Sequence, residues 1–136
     1  MSGEGMAMER RQIGSGIVWE ERYGYCRAVR VGPFVQVAGT TAAVPGGGAV
    51  SDDMYEQARE VLRRIVAALA ELGAGPEHVV RTRMFVTDIA EADAVGRAHG
   101  EVFAGTRPAA TMVEVKALID PALKVEIEAD AIVPEA

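Results

Sequence analysis

The segment Thr106–Val133, TRPAATMVEVKALIDPALKVEIEADAIV, decides the fold. Its second half is the most regular pattern in the chain. Val125, Ile127, Ala129, Ala131 and Val133 alternate with Lys124, Glu126, Glu128 and Asp130, a period of two that an extended strand sorts onto opposite faces. Ala109–Lys116 alternates less sharply, with Thr111, Val113 and Val115 opposing Ala110, Met112, Glu114 and Lys116. The expectation is two strands, Ala109–Lys116 and Lys124–Val133, joined by the turn Leu118-Ile119-Asp120-Pro121 into a ribbon. One face of the ribbon buries against helices. The other, apolar at one end and charged further on, suits a wet ligand cleft, a subunit interface or a solvated outer surface.

Upstream, Asp88 and Glu91 form a capping pair and open a helix of about four turns that Gly105 stops. His78–Thr87 reads as a strand. Ser51-Asp52-Asp53 opens a longer helix, with Asp53 and Glu56 at capping-box spacing. Met54, Ala58, Val61, Leu62, Ile65, Leu69 and Leu72 form its apolar stripe, and Gly73 with Gly75-Pro76 ends it. The glycines of Val44–Ala49 make a flexible loop rather than a phosphate loop, because no Gly-Lys-Ser/Thr follows. Tyr25–Val31 and Phe34–Thr40 form a hairpin about Gly32-Pro33, with Gly32 free to take a positive φ. A short first strand is expected around Ile17-Val18-Trp19.

The order β-β-β-α-β-α-β-β gives an α+β plan, with two helices on one face of a mostly antiparallel sheet. Residues 1–10 read as a flexible tail and 11–136 as a single domain. The sheet face without helices needs a partner, and a second copy of the chain is the simplest one.

Composition narrows the function. At 136 residues there is room for one domain and not comfortably for two. The net charge of −6 gives no general grip on phosphates, and Arg10, Arg11, Arg22, Arg27 and Arg30 are interleaved with Glu9, Glu20 and Glu21. No nucleic-acid partner is expected. A single cysteine, Cys26, fits a reducing compartment, and with His78 and His99 it shows no metal-ligand spacing. No apolar run spans a membrane and no signal-peptide plan opens the chain, so the expected location is the cytoplasm.

Several segments resemble the RidA (YjgF) family. They are Gly24–Gly32 (GYCRAVRVG), Val35–Thr41 (VQVAGTT), the helix Gln57-Ala58-Arg59 to Ile65, Arg81–Asp88 (RTRMFVTD), Arg107–Val115 (RPAATMVEV) and Val125–Ala129 (VEIEA). The match runs from about Gly24 onward, in order. The resemblance implies a chorismate-mutase-like fold, a homotrimer, and a cleft between subunits that takes a small-molecule ligand. It also implies hydrolysis of reactive enamines and imines with no cofactor. By the same resemblance Glu126 and Tyr25 would be the catalytic residues. Gly39, Arg27, Ala110, Thr111 and Met112 would lie on the substrate side. The family's carboxylate-binding arginine does not carry over, since Ala110 stands in its place.

That absence weighs heavily on the chemistry. An arginine fork binds a carboxylate by two charge-assisted hydrogen bonds, each worth roughly 1.5–3 kcal/mol. Arg27 and Arg107 are candidate substitutes, and solvated or structural arginines are the plainer alternative for both. Glu126 reads either as a general base for water addition to C=N or as a polar strand residue paired with a neighbouring cation. Tyr25 reads as a catalytic group or as interface packing, Cys26 as a small packed residue, and His78 and His99 as surface or structural. Three functions remain open: an imine/enamine hydrolase acting on a substrate other than simple 2-imino acids, a trimeric ligand-binding protein without turnover, and an RNA-directed activity that the acidic balance disfavours.

Overall fold

The structure, a computed structural model, describes residues 8–134. The six strands are β1 (Arg10–Ile13), β2 (Ala28–Val31), β3 (Phe34–Thr40), β4 (Val79–Val86), β5 (Ala109–Glu114) and β6 (Val125–Ile132). The helices are α1 (Val18–Tyr23), α2 (Met54–Glu71) and α3 (Ala92–Phe103). They build one six-stranded sheet in the order β1-β2-β3-β6-β4-β5, in which only the β4–β5 pair is parallel. This is the expected α+β plan. The tail proposed for residues 1–10 lies mostly outside the described residues, and Arg10 already belongs to β1.

The alternation of β6 does what its pattern demands. Val125, Ile127, Ala129 and Ala131 are buried, while Glu126, Glu128 and Asp130 share the opposite face. Met84 and Val86 of β4 and Val35 and Val37 of β3 extend the buried layer, which packs on the stripe of α2 and on Val95, Ala98 and Phe103 of α3. The other face carries no helix. Phe34, Ile132 and Val113 stay exposed there beside the charged row of β6.

The expected ribbon does not form. β5 and β6 are separated by β4, which pairs parallel with β5 and antiparallel with β6. The reason lies in connectivity. Helix α3 provides the crossover that a parallel β4–β5 pair requires, leaving β6 to enter between β3 and β4. The segment Val115–Lys124 is therefore a crossing connection and not a tight turn.

The first strand also moves. It lies at Arg10–Ile13, and Ile17-Val18-Trp19 leads instead into α1. Glu20 and Glu21 in its first turn and Arg22 in its last complement the helix dipole. Gly24 closes it in the left-handed conformation with φ 75°. That run of consecutive charges could not have alternated across a pleated sheet. Strand β2 begins at Ala28, not Tyr25, and Val31 pairs with Phe34 around Gly32-Pro33 with Gly32 at φ 58°.

Helix α2 starts where expected. Asp53 accepts a hydrogen bond from the Glu56 N–H at 2.9 Å. Its last free carbonyl, Leu72 O, accepts from Arg30 Nη1 at 2.7 Å and Arg11 Nη2 at 3.3 Å, so β1 and β2 supply the positive charge that the helix end lacks. Asp88 caps a single 3-10 turn, Ile89–Glu91, ahead of α3, which is shorter than the predicted helix. The left-handed residue after α3 is Arg107, at φ 57°, and not Gly105.

One polar side chain sits inside the α2 stripe. Gln57 is fully buried and fully bonded. Its Nε2 donates to Ser51 O at 2.8 Å and Ala122 O at 2.9 Å, and its Oε1 accepts from Lys124 N–H at 2.9 Å. It thereby holds the crossing connection at the entry to β6. Gln57→Leu leaves these three main-chain groups without partners, at roughly 1–3 kcal/mol for a buried unsatisfied group. The expected loss in urea unfolding is about 2–4 kcal/mol; a change under about 0.5 kcal/mol would mean that water replaces the amide.

Candidate functional site

The period of β6 places Glu126 on the uncovered face, opposite Phe85 of β4. On its other side the β3–β6 ladder slips between Val37 and Thr40, a bulge that brings Gly39 beneath the carboxylate. A Cβ on Gly39 would overlap Glu126 Oε2 and lie 3.0 Å from its Cδ. Glycine is needed here for room, not for an unusual φ. Among the described residues no hydrogen bond or ion pair reaches the Glu126 carboxylate. Burial, and then the charge of Glu128, push its pKa above the usual carboxylate range, partly offset by Arg27.

Arg27 reaches the carbonyl of the same glycine. Its Nη2 donates to Ala38 O at 2.6 Å, Gly39 O at 2.8 Å and Thr40 Oγ1 at 2.8 Å. Its Nε is buried without an acceptor among the described residues. Burial lowers the guanidinium pKa, opposed by the negative charge of Glu20, by Tyr25 and by Glu126. Arg64 of α2 donates to Thr41 O at 2.8 Å, so the helix also grips the end of β3. Arg27 is therefore committed to main chain, and Arg107 lies exposed outside any strand.

Tyr25 does not share a strand face with Arg27. It precedes β2, is exposed, and its N–H donates to Glu20 O at 3.0 Å as α1 ends. Cys26 is a free, half-exposed thiol between them. Thus one chain gathers Arg27, Gly39 and Glu126, with Tyr25 in the same charge neighbourhood.

Ala110, Thr111 and Met112 are elsewhere. They lie on edge strand β5, with β4 between them and β6. Ala110 pairs with buried Thr82 and Met112 with Met84, so both belong to the helix-covered face, opposite Glu126. Thr111 lies on the open face, where its Oγ1 accepts from Arg81 Nη2 at 2.6 Å. Arg83 bonds Glu128 at 3.3 Å and Asp130 at 3.0 Å, which leaves Glu126 as the carboxylate of that row without a cation. His99 is structural: Nε2 lies 2.8 Å from Thr82 Oγ1, the ring packs on Phe103, and burial lowers its pKa. His78 Nδ1 accepts from Gly75 N–H at 2.9 Å.

Phe85 faces Glu126 across the sheet and Thr40 bonds Arg27, and sequence singles out neither. The signal for Thr40 was the Gly39-Thr40-Thr41 run, where a bulge interrupts an apolar alternation. No group of metal-ligating side chains occurs among the described residues. A concavity of about 620 Å³ between α2 and α3 is lined by residues of those helices and of the preceding loop and not by Glu126. There Glu60 is held to a pKa of about 2, chiefly by hydrogen bonds from Arg63 and Arg64. Its charges are paired, so it offers a groove without reactive groups.

The family model for Endoribonuclease L-PSP matches residues 20–133. The chain belongs to the RidA/YjgF family. A Mycobacterium tuberculosis protein of the YjgF/YER057c/UK114 family superposes with a TM-score of 0.84 at 50% identity, covering 92% of this chain and 100% of that one. An uncharacterized Streptomyces coelicolor protein is 42% identical over 89% of this chain and 90% of its own length. The 2-iminobutanoate/2-iminopropanoate deaminase of Salmonella typhimurium is 32% identical over 79% and 86%. The fold of this RidA/YjgF chain is thus chorismate-mutase-like, with Glu126 on the face that its helices leave bare. Among the described residues no helix is long and apolar enough to cross a membrane.

The raised pKa of Glu126 has a consequence for stability. A carboxyl whose folded pKa exceeds its unfolded value stabilises the fold fully below the unfolded pKa and loses that contribution as pH rises through the folded one. Glu126→Gln is therefore expected to be at least as stable as wild type at pH 7, with the difference vanishing on acidification to about pH 4. Thermal unfolding of both proteins across that range checks the sign. A variant less stable at pH 7 would mean that the carboxylate makes a favourable bond.

Proposed function

We infer that the protein is a RidA-type hydrolase of C=N bonds whose substrate lacks the carboxylate of a simple 2-imino acid. The observation carrying this reading is Glu126, a half-buried carboxylate without an ion-pair partner among the described residues, lying over Gly39 with its pKa raised by burial. Such a group can take a proton from water as the oxygen adds to the imine carbon. It can then return that proton to the nitrogen and relay the adduct's hydroxyl proton there too, so that the C–N bond breaks to give a carbonyl compound and ammonia. The reaction needs no redox change and, as written, no cofactor. An unpaired carboxylate also attracts the protonated, iminium form of a substrate. Ala110 and the backbone-bound Arg27 supply no fork for a substrate carboxylate, which turns the preference away from imino acids.

A homotrimer with the ligand between subunits is part of the proposal. Three features support it. The sheet has one bare face with exposed Phe34, Val113 and Ile132. Helix α1 buries none of its side chains in its own chain, although Val18, Trp19 and Tyr23 are apolar. Strand β5 carries the family's substrate-side positions on a free edge, away from Glu126 within one chain.

The same substitution at Ala110 favours a second reading, a ligand-binding protein that keeps the cleft without turnover. Ammonia release from freshly generated imines, with and without a carboxylate, separates the two. Wild type should act on imines without a carboxylate, and Glu126→Gln should be slower by about 10²–10⁴-fold. Equal rates for the two proteins would remove Glu126 from the mechanism. No rate above buffer on any imine would leave the binding reading.

Assembly is checked separately. Light scattering at micromolar concentration should give the mass of three chains. Emission of Trp19, the chain's one tryptophan, should shift to the red on dissociation if the interface covers α1. A monomer at these concentrations would overturn the shared cleft.

A further inference from the structure

Arg27 is the cation whose charge bears on Glu126, and its obvious use would be to replace the arginine absent at position 110. Its geometry argues otherwise. A single nitrogen, Nη2, is spent on three acceptors at the end of β3: Ala38 O, Gly39 O and Thr40 Oγ1, at 2.6, 2.8 and 2.8 Å. Thr40 Oγ1 in turn donates to Ala38 O at 2.7 Å, closing a small network in which the hydroxyl both gives and receives. The network sits where the β3–β6 register slips between Val37 and Thr40. A bulge leaves carbonyls without ladder partners, and a buried guanidinium is the donor that satisfies several of them at once.

The bulge has one visible effect on the open face. It sets Gly39 under Glu126 so closely that any side chain there would overlap the carboxylate. Arg27 and Glu126 thus meet the same residue from two directions. They do not form an ion pair, yet each sits within the other's field. The remaining neighbours sharpen the pairing. On β6 itself Glu128 is turned to Arg83 at 3.3 Å, and β4 places apolar Phe85 opposite Glu126. Around Arg27 stand Glu20, Tyr25 and Arg64, but Glu20 is bonded to the Ser15 N–H at 3.0 Å and Arg64 to Glu60 at 2.7 Å. Among the described residues Arg27 is therefore a cation in Glu126's surroundings without a carboxylate partner.

We propose that Arg27 is a positioning residue for Glu126, strapping the bulged end of β3 so that Gly39 gives the carboxylate its place while the guanidinium charge stands beside it. It acts through Gly39 and through its field and does not bind a substrate carboxylate. This deepens the hydrolase reading, since it assigns a residue that tunes the same base. Its physical content, however, is independent of turnover. Burial and Glu128 raise the pKa of Glu126, and Arg27 restrains that rise.

Nuclear magnetic resonance tests the proposal without a substrate. In wild type the Glu126 side-chain carboxyl carbon is titrated, and the Arg27 Nε–H resonance is followed over the same pH range. The Arg27 signal should move with the midpoint of Glu126, and the movement should disappear in Glu126→Gln. In Arg27→Met the Glu126 midpoint should rise. In Arg27→Lys, which keeps the charge but carries it on a shorter side chain with a differently placed donor, the midpoint should stay nearer wild type while the Gly39 amide resonance shifts. An Arg27 signal that stays flat through the titration of Glu126 overturns the proposal even if neither arginine variant folds. So does an unchanged midpoint in a folded Arg27→Met protein. Absence of imine hydrolysis would sink the functional reading alone and leave these outcomes in force.

Discussion

The structure depends on the central place of β6. A strand hydrogen-bonded along both edges, with one face in the core, has almost no freedom of register, because a slip of one residue would exchange its valine, isoleucine and alanines for glutamates. That penalty fixes Glu126, Glu128 and Asp130 on the bare face. It also fixes the neighbours they meet: Phe85, Arg83 and Arg81 from β4. The register of a single strand therefore sets both the core and the electrostatics of the opposite surface.

Three carboxylates in a row on one strand face repel one another, and the fold deals with them unequally. Arg83 binds Glu128 and Asp130 together. Glu126 is left at the end of the row, over a glycine and beside an arginine that is itself tied to main chain. Exposed ion pairs such as those of Arg83 contribute about 0–1 kcal/mol each, so the row is not there for stability. Its effect is to leave one carboxylate whose proton is held more tightly than usual, a property useful for moving protons and of no benefit to the fold.

Polar side chains do the joining where the regular elements end. Gln57 ties α2 to the connection that enters β6, and Arg30 with Arg11 closes the far end of α2. Arg64 links α2 to the end of β3, one residue beyond the bulge. These bonds join residues far apart in the chain and anchor both ends of the helix against the sheet. The bulge beneath Glu126 is thus braced from the helix side as well as by Arg27.

Local periodicity was enough to read β3, β4, β6, the α2 stripe with its Asp53 cap, and the placing of Glu126 opposite the core, because each rests on spacing within one element. The family, too, was legible from segments spread along the chain. What spacing could not tell was which strands lie side by side. Val115–Lys124 looks like a turn until α3 is known to carry β5 across to a parallel neighbour, and the runs at residues 10–13 and 17–19 are too short for period alone to separate strand from helix. The same holds for the site. Sequence put Tyr25, Arg27, Gly39, Ala110, Thr111, Met112 and Glu126 in one group. Within one chain the tertiary structure keeps Arg27, Gly39 and Glu126 together, through a register slip that brings Gly39 beneath Glu126, and sets Ala110, Thr111 and Met112 on another strand with β4 between. Periodicity tells which face a side chain takes; only pairing, a long-range property of the chain, tells what it faces.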